Sequence, residues 1–129
     1  MNSDELLITD QPIAGAEAAP KPGGGASGAV VVFWGVVRDL EARAKIAALD
    51  YTAFRPMAER QFRRILAEAR ERWPLQRIRV VHRLGVVAVG EASLLVRVES
   101  AHRAEAFEAA QFIINELKQR VPIWKETMA

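Results

Sequence analysis

The sequence predicts an α+β fold, with a largely antiparallel sheet and helices packed on one of its faces. Three observations carry that expectation. Two long stretches, 57–73 and 101–120, repeat apolar residues with the period of an amphipathic helix. Several shorter stretches are β-branched or alternate with period two. The elements follow one another as strand, helix, three strands, helix within 129 residues. That length suits one domain spanning 1–129.

Leu6, Leu7 and Ile8 form a short apolar run, read as an edge strand. Residues 14–28 are mostly Ala, Gly and Pro and are expected as a flexible loop. Their run Gly23, Gly24, Gly25 fits no phosphate-loop spacing, and a strand rather than a helix follows it. Residues 28–37, GAVVVFWGVV, have the composition of a buried strand. Gly35 inside that run signals a bulge or a close backbone approach. Arg38 and Asp39 end it, and 46–52 reads as a second strand.

Arg55-Pro56 marks a break, because the residue before proline avoids the helical region. Over 57–73, Phe62, Ile65, Leu66, Ala69 and Trp73 make one helical stripe, and Pro74 stops it. Over 77–84, Ile78, Val80, His82 and Leu84 share one side of a strand. Gly85 and Gly90 bracket a short apolar run, and 94–99 alternates again. The last helix is expected over 101–120 with Ser100 as its N-cap. Phe107, Ala110, Ile114 and Leu117 form its stripe. Ala106, Ala109 and Ile113 widen it, so two sides should be covered. Pro122 ends the helix, and Ile123, Trp124 and Lys125 continue as an extended tail.

Composition removes several classes of function. Half the residues are hydrophobic and 26% are charged, which is globular rather than disordered. No apolar run approaches the ~20 residues of a spanning helix, so no membrane role is expected. The first residues, MNSDELLITD, carry acids and no basic-then-apolar signal, so a cytoplasmic protein is expected. A net charge of +2 is weak support for nucleic acid. The arginines between 60 and 72 are mixed with glutamates, as on a solvated face, so no nucleic-acid partner is expected. Cysteine is absent. That excludes thiolate zinc sites, a cysteine nucleophile and a persulfide relay on this chain. Two distant histidines make a poor metal site, and neither a metal nor a cofactor is expected.

Four groups remain as candidates for chemistry: Arg38, the pair His102-Arg103, Lys118 and Lys125. His102 and Arg103 begin a helix, where free N–H groups and the helix dipole favour an anion. A solvated helix start explains them equally well. Lys118 also suits the negative end of its helix, Lys125 an exposed tail, and Arg38 a strand-end charge. His82 reads as a satisfied core histidine. No G-x-S-x-G or H-E-x-x-H string occurs. The residues alone define an α+β domain with a candidate anion pocket.

Longer strings say more. FWGVVRD at 33–39, ALDYTAFRPMAE at 48–59, RWPLQRIRVVHRLG at 72–85 and ESAHRAEAFEAAQFIINELKQRVPIWKE at 99–126 resemble the large, catalytic subunit of molybdopterin synthase, the MoaE family. The resemblance covers about 28–126. It implies an α/β hammerhead-type fold and the insertion of two sulfurs into cyclic pyranopterin monophosphate, making the dithiolene of molybdopterin. It implies sulfur delivery as a thiocarboxylate on the C-terminal Gly-Gly of a small ubiquitin-like subunit. It also implies a homodimer within a heterotetramer. Carried over by motif, the substrate-binding residues are Val36, Val37, Arg38, His102, Arg103, Lys118, Lys125, Glu126 and Thr127, with Lys118 and Lys125 as the catalytic pair. Lysine suits that task, since burial among cations lowers an ammonium pKa. A non-catalytic binding module keeping the fold and partner surface is the alternative. The stretch after Arg38, DLEARAK, lacks the glycine usual in the family.

Helix geometry adds one expectation. Arg103 and Lys118 are 15 residues apart on one helix without Pro or Gly between them. At ~1.5 Å per residue their backbones stand roughly 22 Å apart. One pterin monophosphate does not bridge that gap comfortably. A two-fold dimer is therefore expected to build composite sites, with His102 and Arg103 of one copy facing Lys118 and Lys125 of the other.

Overall fold

A computed structural model describes residues 5–19 and 25–129. In chain order its strands and helices are β1 (Leu6–Thr9), β2 (Ala29–Val36), β3 (Leu40–Glu41), β4 (Ala44–Lys45), β5 (Ala48–Ala53), α1 (Arg55–Arg72), β6 (Leu75–Arg83), β7 (Gly85–Ala88), β8 (Ala92–Ser100), α2 (Arg103–Arg120) and β9 (Ile123–Met128). The larger sheet has the order β1-β6-β8-β2. Its β6–β8 and β2–β8 pairs are antiparallel, and β1 joins parallel to β6. A second sheet, β7-β5-β9, is antiparallel throughout. Strands β3 and β4 form a small hairpin of their own.

Alternation decides which side of the larger sheet receives the helices. Ile78, Val80, Leu94, Val96 and Val98 share a face and pack with Phe62, Ile65, Leu66 and Ala69 of α1. Ala106, Ala109, Ala110, Ile113 and Leu117 of α2 join the same core. Burying a side chain such as Phe62 stabilises by about 1.5–3 kcal/mol. The two helices are also tied at their ends. Arg120 forks onto Glu68 at 2.9 and 2.7 Å. Trp73 stands edge-on to Phe112 at 5.5 Å, with Arg72 over the same ring. A smaller core of Val37, Leu49 and Val87 holds the second sheet.

Several expectations need correction. α1 begins at Arg55, so Pro56 lies in its first turn rather than ahead of it. A missing N–H there breaks no helical bond. α2 begins at Arg103, and its N-cap is His102, not Ser100. Ser100 still belongs to β8, opposite Ala29 and Leu75. Its hydroxyl donates to the His102 carbonyl at 2.5 Å instead of accepting from a helix N–H. α2 buries Ala106, Ala109, Ala110, Ile113 and Leu117, so the expected stripe holds at Ala110 and Leu117 but not at Phe107, which is 60% exposed.

The stretch expected as a flexible loop is partly strapped down. Gly15–Ala18 form one 3-10 turn. Arg79 donates to the Glu17 carboxylate at 3.0 and 2.8 Å. Arg97, buried in β8, donates to the carbonyls of Glu17 and Ala19. Gly23 and Gly24 lie outside the described residues. The β3–β4 hairpin was not foreshadowed by any period in its sequence.

Candidate functional site

The end of β2 sets up the site. Pairing with β8 shifts register between Gly35 and Val36, as a bulge does. A Cβ on Gly35 would stand 3.2 Å from that of Leu94, so glycine lets the strands close there. Beyond the bulge Val37 is stapled to the next turn. Its N–H donates to the Glu91 carbonyl at 3.0 Å, and its own carbonyl accepts from Gly90 N–H at 2.9 Å. Val37 is buried in the smaller core, which leaves Arg38 exposed just past it.

Lys118 arrives from the last turns of α2, and Lys125 from β9 opposite Tyr51. Together with Val36, Val37 and Arg38 they line one cleft of about 650 Å³. Phe33, Trp34, Leu94, Leu117 and Ile123 supply apolar wall, while Tyr51, His82, Ser93 and Glu41 add polar groups. That volume is in the range that holds a small organic ligand. Arg38 and Lys118 form no ion pair among the described residues. Lys125 Nζ lies 3.2 Å from Glu41 Oε1, with the lysine side chain half exposed. Three cations against one carboxylate make the cleft a place for an anion.

The other candidates lie elsewhere on the chain. His102 and Arg103 are exposed at the opposite end of α2, which runs unbroken for 18 residues. Glu126 and Thr127 follow Lys125 on β9, facing Asp50 and Leu49 across the pair, and both are exposed. Alternation turns Glu126 to the opposite face from Lys125.

Four polar cleft residues escaped the sequence reading, among them Ser93, a β8 residue with no motif around it. The sequence marks Tyr51 only as a strand residue. Glu41 sits in the unforeseen hairpin. The sequence pattern puts His82 in the core, and it is buried at 5% exposure, against Tyr51 and Phe62. It nevertheless lines the cleft as well. Burial holds its pKa below the ordinary imidazole value.

Fold and cleft define a class: an α+β domain whose two sheets and second helix meet around a cationic pocket with two lysines. Comparison with known proteins narrows it. The family model described as MoaE protein matches residues 8–120. The chain therefore belongs to the MoaE family. It is 46% identical over 99 residues to the molybdopterin synthase catalytic subunit of Homo sapiens, covering 77% of this chain and 53% of that one. It is 40% identical over 124 residues to the subunit of the same name from Nostoc sp., covering 95% and 75%. The chain spans about half the length of the mammalian relatives it matches. Among solved structures it is similar to molybdopterin synthase from Staphylococcus aureus. That match has a TM-score of 0.83 and 35% identity, covering 99% of this chain and 92% of that one.

Proposed function

We propose that this chain is a molybdopterin synthase catalytic subunit. It inserts dithiolene sulfur into cyclic pyranopterin monophosphate, using sulfur delivered as the C-terminal thiocarboxylate of a small ubiquitin-like subunit. One observation carries the reading: Arg38, Lys118 and Lys125, distant in sequence, line one cleft of small-ligand size. A phosphorylated pterin needs cations around it, and a chain with no cysteine needs its sulfur brought by another protein. In this reading Lys118 and Lys125 pass the protons that sulfur insertion moves, or attack the carrier's carbonyl transiently. Arg38 serves as anion binder. A cytoplasmic location goes with this reading; among the described residues no helix is long and apolar enough to cross a membrane.

His102 and Arg103 enter the same reading through a second copy. The unbroken α2 holds them roughly 22 Å from Lys118, so they complete the pocket of a dimer mate. Exposed Phe107, one turn from Arg103, offers apolar surface for that contact. Two measurements test the proposal. The chain mixed with a thiocarboxylated small subunit and the pterin should yield the dithiolene product; a folded chain that yields none would sink the enzymatic reading. Mixing Arg103→Ala with Lys118→Ala should recover roughly a quarter of the sites, because each hybrid dimer holds one intact pocket. No recovery despite subunit exchange would refute the composite site.

A further inference from the structure

The cleft has a cationic rim, but its ligand, under the reading above, is a pterin as well as a phosphate. A reduced pterin carries ring and exocyclic N–H groups. Arg38, Lys118 and Lys125 only donate, so none of them satisfies an N–H. The Glu41 carboxylate is paired through one oxygen with Lys125, and Tyr51 and Ser93 offer hydroxyls that donate as well as accept, so neither sets a fixed acceptor.

His82 has the right chemistry. Its Nδ1 lies 3.0 Å from the Arg83 carbonyl. A carbonyl only accepts, so Nδ1 carries the proton. In the neutral ring Nε2 is then a bare lone pair. Nε2 has no hydrogen-bond partner among the described residues, although the side chain lines the cleft. The ring is held by the Tyr51 ring, edge to face at 5.5 Å, and by Phe62 at 6.3 Å. Burial among these rings disfavours the imidazolium. The acceptor is therefore fixed in tautomer and in place before any ligand arrives.

We infer that His82 is a specificity-determining residue of the cleft, whose Nε2 accepts a hydrogen bond from an N–H of the pterin ring. The inference rests on the function proposed above. It explains why a polar ring stands where the strand's alternation calls for an apolar one. A site that offers a buried acceptor discriminates against ligands lacking the matching donor, because the acceptor is then left unpaired.

Nitrogen-15 NMR of histidine-labelled wild type, titrated with cyclic pyranopterin monophosphate, tests it directly. Free protein should show the Nδ1-protonated tautomer for His82, and saturation should move the Nε2 resonance while leaving Nδ1 protonated. Steady-state kinetics supply the second arm. His82→Asn, which keeps a donor towards Arg83 but loses the outer acceptor, should raise KM for the pterin about tenfold. Its kcat and its KM for the carrier should stay within about threefold. His82→Gln, which restores an outer acceptor, should recover most of the loss. An Nε2-protonated tautomer, an Nε2 resonance unmoved at saturation, or an unchanged KM in folded His82→Asn would overturn the inference. Absence of pterin binding to wild type would overturn this inference and the proposed function together. Binding that moves Nε2 without any sulfur transfer would overturn only the enzymatic reading.

Discussion

The turn of the β3–β4 hairpin stores local backbone strain that substitution can release. Leu40 pairs with Lys45 and Glu41 with Ala44, leaving Ala42 and Arg43 as a two-residue turn. Their φ values are 49° and 68°, both left-handed. That is the pattern of a type I′ turn, which favours Asn-Gly. A side chain with a Cβ pays on the order of 1–2 kcal/mol there. Both residues are exposed, so replacing them removes no packing. Arg43→Gly relieves one such strain and gives back about 0.4–1 kcal/mol through a freer unfolded chain. Adding Ala42→Asn brings in a residue that tolerates the left-handed region. The net expectation for the double variant is about 1 kcal/mol of stabilisation, or a rise in Tm of roughly 3–5 °C for a chain this long. Thermal unfolding of wild type, the double variant and Arg43→Ala measures it. Arg43→Ala keeps its Cβ and should match wild type within about 1 °C. A double variant that melts at or below wild type would refute the strain argument.

Other expectations follow from the cleft and its supports. Lys118→Ala should abolish or severely cut sulfur transfer while costing under about 0.5 kcal/mol in denaturant unfolding, since the side chain is exposed near a helix end. Near-normal turnover would remove Lys118 from the catalytic pair. Arg38→Ala and Arg103→Ala should each weaken pterin monophosphate binding by calorimetry, through loss of a charge-assisted contact; unchanged affinity in both would end the anion-binding assignment. Stability should also depend on pH in a set direction. His82 binds its proton less readily folded than unfolded. Its contribution is complete above about pH 6.5 and is lost as pH falls from there towards the folded value. His82→Phe should flatten Tm against pH across that window. Glu68 is held low mainly by its bond from Arg120. Its share is present above its ordinary range of about 4.3 and is lost as pH falls through its folded value, so Arg120→Ala should remove that lower limb in calorimetric scans.

Much of the fold was legible because it rests on periods. The α1 stripe of Phe62, Ile65, Leu66 and Ala69 is the buried stripe. The strands of 28–37, 77–84 and 94–99 are found within a residue or two at most ends. Gly35 marks a bulge as its sequence position suggested. What was illegible depends on partners far along the chain. Residues 14–19 look featureless, but Glu17 is held by Arg79, and Arg97 reaches the Glu17 backbone 80 positions away. The exact buried side of α2 could not be chosen from its own sequence, since Ala106, Ala109 and Ile113 compete with Phe107 across one wide apolar face. Ser100 resembled a cap until β2 and β6 claimed it as strand.

The site shows the same division more sharply. Arg38, Lys118 and Lys125 stand out as cations at element ends, but nothing in their spacing says that they share a wall. Register supplies that. β9 returning antiparallel along β5 sets Lys125 opposite Tyr51, and the bulge at Gly35 carries Arg38 beyond the buried Val37. His82 is the instructive case. Alternation with Ile78 and Val80 correctly puts it on the helix-covered face. It sits, however, near the end of β6, where that face runs out from under Phe62 and meets the cleft. A residue at such an edge satisfies both descriptions at once: buried by its neighbours, and offering one ring nitrogen to whatever enters. Periodicity reports the first property and is blind to the second, because the opening is made by α2, β5 and β9 rather than by β6 itself. Polar residues that break an apolar alternation near a strand end therefore merit testing as ligand contacts before they are dismissed as core.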